Sequence, residues 1–318
     1  MSQPTLQQAL DLIDGGRVEE GVHMLRTVAS NREPEAMYML ARLTWSGNMV
    51  PQDPFRGRLL FEYAAGLGHG AANVLVTNLL ASGVAGKRDW RYALERLAIE
   101  ARQVPQRRAA HELIRAMELD GNGDPKSVPE PTRLSAAPDV RIVKGLLTPA
   151  ECSYLIAAAE PLLEPSMVYN DAGEQVRDTI RTSDGTGFYW LIEDPAIHAL
   201  NRRIAKATHT SYDQGEPLQL LRYAPGQEYR PHFDYLEAVD NPRPWTALVY
   251  LNDGYEGGAT RFVKTGLEVR GEIGDVLLFG NGGADGKRDP LAEHAGLPVT
   301  SGRKYLATRW IRERRMIP

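Results

Sequence analysis

The spacing of apolar positions changes once along this chain, and the change divides it. Near the start Leu6, Leu10 and Ile13 share one face at helical spacing, and Gly15–Gly16 stops the run. A self-match follows at an offset of 35 residues. Leu25, Ala29, Ala36 and Leu40 align with Leu60, Ala64, Ala71 and Leu75, and the blocks close near Gly47 and Gly83. A period in the mid-thirties, with small residues where helices cross, predicts paired helices stacked as a solenoid. A more degenerate third unit runs from Asp89 to about Leu119. Residues 121–139 hold Pro125, Pro129, Pro131 and Pro138; they cannot continue a helix and read as an extended linker. Beyond them VRIVKG reads as a short strand, and a helix opens at Thr148 with Pro149 and Glu151 forming a capping box. A second helix is expected over 195–208.

From Leu218 the period becomes two. LQLLRY, WTALVYL, ATRFV, LEVR, DVLLF and RKYLATRWI alternate with Gly- and Asn-rich breaks. Many short strands with such turns predict a sandwich or jelly roll whose sheets enclose a cavity. The expected fold class is α+β and multidomain. A helical repeat (solenoid) domain covers 1–120, the linker 121–139, and a β-rich domain 140–318.

Composition narrows the setting. At 318 residues there is room for two domains. The net charge of −4 gives no electrostatic reason to expect nucleic acid or a membrane surface as partner. A single cysteine, Cys152, cannot form an internal disulfide and suits a reducing compartment. The opening residues lack the basic-then-apolar order of a secretory signal, and no run reaches the ~20 apolar residues of a membrane helix. A cytoplasmic location is the expectation.

Candidate chemistry centres on YAPGQEYRPHFD, residues 223–234. On a strand, His232 and Asp234 would project from one face, where an imidazole and a carboxylate can share an ion. The pair alone carries little weight, since the chain has 7 histidines and a solvated His is commoner. His294 is the only later histidine and the natural third donor. Two His and one carboxylate leave open positions on an octahedral metal, as in non-haem Fe(II) oxygenases. Lys304, on the apolar run KYLATRWI, suits an anionic co-substrate. Trp310, six residues on, shares its strand face and either walls the cavity or belongs to the core.

YAPGQEYRPHFDYL, RPWTALVYLND, GGATRF, GDVLLF and HAGLPVTSGRKYLATRW, with RTSDGTGF at 181–188, resemble the 2-oxoglutarate- and Fe(II)-dependent dioxygenases of the prolyl 4-hydroxylase type. The resemblance runs from about Val140 to Ile311 and implies a double-stranded β-helix. It also implies Fe(II), 2-oxoglutarate and O2, with ascorbate as reductant, and ligands His232, Asp234 and His294. Lys304 is then the counterpart of the distal carboxylate, and Tyr223 and Thr260 match hydroxyl donors to 2-oxoglutarate. Tyr229 and Arg243 match substrate-face positions, although alternation alone would turn Tyr229 away from the ligand pair; Arg243 reads equally as a strand-edge charge. Segment 280–289 (GNGGADGKRD) reads as flexible rather than packed. DPFRGRLLFEYAAGLGHGAA resembles the tetratricopeptide-related Sel-like repeats, which implies either a surface for a protein partner or a structural annex.

The expected activity is hydroxylation of a prolyl residue in a protein or peptide, or of a related small molecule. The competing expectation is a catalytically silent metal-binding or repeat-mediated interaction module.

Overall fold

The computed structural model describes residues 4–169, 175–177, 180–237, 239–282 and 286–316. Two compact units divide the chain. One is Met1–Arg108 together with Trp190–Pro195; the other is Ala109–Tyr189 together with Ala196–Ile317.

The first unit is helical: α1 (Leu6–Asp14), α2 (Val18–Ser30), α3 (Pro34–Ser46), α4 (Pro54–Gly66), α5 (Gly70–Ser82) and α6 (Trp90–Glu100), with α7 (Pro105–Ala116) spanning its end. From α1 to α6 each helix packs on its chain neighbour. The observed period differs by one residue from the predicted 35. Gly47 and Gly83, both left-handed C-caps, lie 36 apart, as do the N-cap residues Asp53 and Asp89. Buried positions follow the same spacing: Leu25 with Phe61, Ala36 with Ala72, Leu40 with Val76. At the predicted offset Ala36 would have met Ala71, which is exposed. Small apolar residues at adjacent positions blurred the register.

Inside this unit lies a buried polar network. Arg107 donates to Glu100 and Asn78, and Thr77 donates to Glu100. Asn78 Nδ2 also donates to Leu191 O, which ties the 190–195 segment to α5.

The second unit opens with β1 (Thr132–Ala136) and β2 (Asp139–Val143), then α8 (Pro149–Ala159). The strand β1 lies within the stretch read as a linker, and it pairs antiparallel with β2. Thr148 and Glu151 form the predicted capping box of α8. There follow β3 (Glu164–Pro165), β4 (Met167–Tyr169), β5 (Gln175–Arg177), β6 (Asp184–Phe188) and α9 (Pro195–Ala207). The remaining strands are β7 (Leu218–Tyr223), β8 (Tyr229–His232), β9 (Trp245–Tyr250), β10 (Glu256–Gly257), β11 (Thr260–Phe262) and β12 (Glu268–Val269). The last four are β13 (Val276–Gly280), β14 (His294–Gly296), β15 (Val299–Ser301) and β16 (Lys304–Ile311).

One large antiparallel sheet runs β1-β2-β13-β9-β16-β7-β6-β3, and a smaller one runs β12-β11-β14-β8. Val140, Ile142, Leu248, Tyr250, Leu277, Phe279 and Leu306 of the large sheet meet Phe262 and Val269 of the small one in a single core. Two sheets closing on one core are consistent with a jelly-roll oxygenase fold. The RTSDGTGF segment supplies β6 to the large sheet. Gly185 sits where a Cβ would lie 2.9 Å from the tip of the Leu221 side chain, so β6 approaches β7 closely there. Among the described residues no helix is long and apolar enough to cross a membrane.

Candidate active site

Strands β8 and β14 pair so that His232 stands directly opposite His294, their rings 4.3 Å apart between centroids. Each ring is aimed from behind. His232 Nδ1 lies 2.8 Å from Arg230 O, and His294 Nδ1 lies 3.0 Å from Ala292 O. A carbonyl can only accept, so both Nδ1 atoms carry the proton and both Nε2 lone pairs stay available. The two Nε2 atoms face the Asp234 carboxylate, His232 at 3.6 Å from Oδ1 and His294 at 3.7 Å from Oδ2. These separations are too long for hydrogen bonds. One donor atom from each of the three residues falls within a 4.8 Å group.

Strand alternation does not place the carboxylate. The strand β8 ends at His232, and Asp234 lies in the irregular segment beyond it, where Thr246 Oγ1 donates to its Oδ2 at 2.7 Å. Burial lowers the His232 pKa to about 4, with His294 adding to the shift. For Asp234 burial acts upward, but the two imidazoles and the Thr246 hydroxyl hold it below the ordinary carboxylate range. A neutral His232 and an ionised Asp234 are the protonation states that metal ligation requires. Two imidazole nitrogens and one carboxylate oxygen, buried and turned toward one point, fit Fe(II).

Tyr229 corrects the alternation argument. Between the His294–His232 and Gly296–Tyr229 pairs, β8 spends one residue more than β14, a β-bulge. The extra residue turns Tyr229 onto the ligand side, where its ring stacks on His232 at 3.5 Å and 15°. Arg181, at the start of RTSDGTGF, bridges Tyr229 and lies over its ring.

One cavity joins these groups to the predicted co-substrate residues. His232, Asp234, His294, Tyr223, Tyr229, Thr260, Lys304 and Trp310 all line it. Lys304 faces Tyr223 across β16 and β7, and its alternate neighbours Leu306, Thr308 and Trp310 line the same wall. Lys304 is 3% exposed, donates to Gly258 O at 2.7 Å, and pairs with no carboxylate among the described residues. Gly258 has φ +64°, and a Cβ there would lie 3.1 Å from Lys304 Cδ, so the lysine stem packs on bare backbone. An ammonium with three protons and one carbonyl partner fits an incoming carboxylate.

Arg243 does not line the cavity. Its guanidinium grips Glu216 through two hydrogen bonds of 2.5 and 2.7 Å and lies 4.1 Å over the Trp310 ring, which does line it. The Trp310 indole N–H is buried near Asp234 and helps to hold that carboxylate ionised, though it makes no hydrogen bond of regular geometry. In segment 280–289, residues 283–285 lie outside the described residues. Of the rest, Gly286 O accepts from Tyr235 Oη, and Arg288 covers the Phe233 ring and reaches Glu237. Residues 286–288 are exposed despite these contacts.

Sequence reasoning passed over Thr246. It sits inward on β9 among Leu248 and Tyr250, and a lone hydroxyl at an apolar position of a period-two run was the available signal.

The comparisons agree with this geometry. Residues 218–312 match the model of the 2OG-Fe(II) oxygenase superfamily. Prolyl 4-hydroxylase 1 of Arabidopsis thaliana is 36% identical over 206 residues, spanning 58% of this chain and 72% of the relative. Prolyl 4-hydroxylase 2 of the same plant is 34% identical over 217 residues, covering 59% and 72%. Among solved structures, the 2OG complex of a viral collagen prolyl hydroxylase from Paramecium Bursaria Chlorella virus-1 is 29% identical, covers 54% of this chain and 95% of its own, and superposes with TM-score 0.43. A relative at this identity, matched over most of its own length, decides the assignment: the chain belongs to the prolyl 4-hydroxylase-like 2OG-Fe(II) oxygenases, dioxygenases that use Fe(II), 2-oxoglutarate and O2.

Proposed function

We propose that the chain hydroxylates a prolyl residue of a protein or peptide, with His232, Asp234 and His294 holding Fe(II) and Lys304 holding the distal carboxylate of 2-oxoglutarate. The observation that carries this reading is one cavity with the triad and an unpaired buried lysine on its wall. Bound Fe(II), with 2-oxoglutarate and O2, supplies the oxidising power to hydroxylate an unactivated C–H bond, releasing succinate and CO2.

The protein's own part is position and dryness. The Nδ1 bonds to Arg230 O and Ala292 O fix both imidazoles before any ion arrives. Tyr223, from the same sheet as Lys304, and Thr260, from the smaller sheet, offer hydroxyls to the co-substrate. An unpaired carboxylate at that depth would lose several kcal/mol of solvation, so the Lys304 ammonium decides whether the co-substrate enters. Tyr229 and Trp310 present flat apolar faces to the substrate, and Arg243 acts through Trp310 by holding its ring.

The relatives' prolyl hydroxylase names support a peptide substrate over a free amino acid. Caps and buried positions recurring at 36 residues support Sel-like repeats in the helical unit, and such a surface would serve a protein partner. The lone buried Cys152, whose thiol burial pushes up to about 12, supports a reducing, cytoplasmic setting. Ascorbate is proposed as the reductant that maintains Fe(II).

The test uses the full chain with Fe(II), ascorbate and 2-oxoglutarate, followed for succinate and for oxygen gain in proline-containing peptides, with free proline as competitor. Succinate release that vanishes in His232→Ala and Asp234→Ala, with oxygen gained on peptidyl proline, is the expected result. Undiminished release in Asp234→Ala would refute the ligand assignment. Hydroxylation of free proline alone would refute the peptide substrate.

A further inference from the structure

Behind Asp234 stands a short chain of buried polar groups that neither the triad nor the co-substrate residues use. Thr246 Oγ1 donates to Asp234 Oδ2 at 2.7 Å, and Asn281 Nδ2 donates to Thr246 Oγ1 at 2.8 Å. All three residues are close to fully buried, Asp234 at 5%, Thr246 at 0% and Asn281 at 1% exposure. The directions follow from chemistry. A carboxylate serving as a metal ligand can only accept, so the single Thr246 proton goes to Asp234. The Thr246 oxygen must then accept, and Asn281 has to present its NH2 edge.

Each member is fixed from elsewhere in the fold. Thr246 pairs across the sheet with Trp310 on β16 and with Phe279 on β13. Asn281 follows directly on β13; its backbone N–H donates to Pro244 O, and its carbonyl accepts from Asp289 N. The relay is therefore anchored on the large sheet, whereas the two histidines ride on the small one. Asp234 itself is on no strand, so these side chains supply the orientation that its backbone does not.

We propose that Thr246 and Asn281 form a positioning relay that holds the Asp234 carboxylate with one oxygen toward each imidazole, and that metal affinity depends on it. The proposal rests on His232, Asp234 and His294 being the metal ligands. Outer partners of a ligating carboxylate typically contribute 10- to 100-fold in affinity.

Co(II) is the probe, since it reports by both titration calorimetry and its visible d–d spectrum, without turnover. Wild type should bind one Co(II). Thr246→Val keeps the shape and removes the hydroxyl; it should raise the Co(II) Kd at least tenfold and alter the spectrum. Thr246→Ser restores the hydroxyl and should return Kd to within a few-fold of wild type. Asn281→Ala, which attacks the relay from its far end, should weaken binding by an intermediate factor; it also decides the matter if Thr246→Val does not fold. Wild-type affinity and spectrum in Thr246→Val, or in Asn281→Ala where that variant decides, would overturn the relay, as would Thr246→Ser binding as weakly as Thr246→Val. If wild type itself binds no Co(II), the ligand assignment fails instead, and the two failures are distinguished.

Discussion

Lys304 and Arg309 lie five residues apart on β16 and are almost equally buried, 3% and 2% exposed, yet their surroundings differ in kind. Strand alternation sends them to opposite faces of the large sheet. Arg309 faces away from the cavity and spends its guanidinium on three backbone carbonyls, those of Asn201, Tyr212 and Glu216. Lys304 faces the cavity and has one carbonyl, Gly258 O. A planar fork with five donors suits a fixed set of acceptors, whereas an ammonium on a flexible stem suits a partner that comes and goes. The pair teaches how to separate a structural buried charge from a functional one. The first has its donors filled by the fold, and the second has them waiting.

The largest test of this contrast is on Arg309. Arg309→Met strips three carbonyls of a charged donor at ~1.5–3 kcal/mol each, with partial relief from relaxation. A loss of about 4 kcal/mol in urea unfolding is expected, with the KM for 2-oxoglutarate of the folded enzyme unchanged. A loss below about 1 kcal/mol would mean that the arginine is not structural, and the contrast would collapse.

Lys304→Ala should do the reverse. The KM for 2-oxoglutarate should rise at least tenfold, because a buried carboxylate loses its counter-charge. An unaltered KM would show that another cation, with Arg270 the nearest in electrostatic influence, holds the carboxylate.

The pH profile gives a sharper version. Burial, with a smaller push from Arg270, brings Lys304 from its ordinary 10.5 down to about 8. Below about pH 8 the group is an ammonium and can hold an anion; above it the neutral amine cannot. The kcat/KM for 2-oxoglutarate should therefore bend downward near pH 8 and fall about tenfold per unit beyond it. Lys304→Ala should lack the bend, and a bend that persists in that variant belongs to some other group.

How far the sequence showed this depended on which rule governed each residue. Lys304 and Trp310 were readable as one strand face because an even number of residues separates them on β16, whereas Tyr223 followed only from the resemblance. The histidine pair was readable as residue types, but their cross-strand register depends on a pairing no local pattern encodes. Alternation alone misplaces Tyr229, for a physical reason, where the resemblance puts it at the substrate face. A bulge adds one residue, and one residue reverses every side chain before it. The strand β6 was hidden by Gly185 and Gly187, whose low strand propensity masks a segment that pairs fully with β7. In the helical unit the helices were visible and the 36-residue spacing of their caps was not, since neighbouring alanines matched almost as well one residue out. Thr246 and Asn281 escaped notice because each is an ordinary polar residue until the fold brings both to Asp234.

The smallest expected effect tests the contrast most directly, because it has the opposite sign from Arg309. Lys304 has a native pKa below its unfolded one, so the unfolded chain binds more protons between about pH 8 and 10.5. Stability should rise with pH across that window, and below it the charged lysine costs the native state free energy. Lys304→Met keeps the stem and removes the charge, and gives up only the hydrogen bond to Gly258 O. Measured without metal or 2-oxoglutarate, it should be more stable than wild type by about 1 kcal/mol at pH 7, in line with apolar replacements of buried charges. The gain should shrink as the pH rises from about 8 to 10.5, the window in which the native lysine is already neutral and the unfolded one still carries its proton. A Lys304→Met variant less stable than wild type at pH 7 would mean that the ammonium holds the apo fold together, as Arg309 does, and the distinction between the two faces of β16 would be lost.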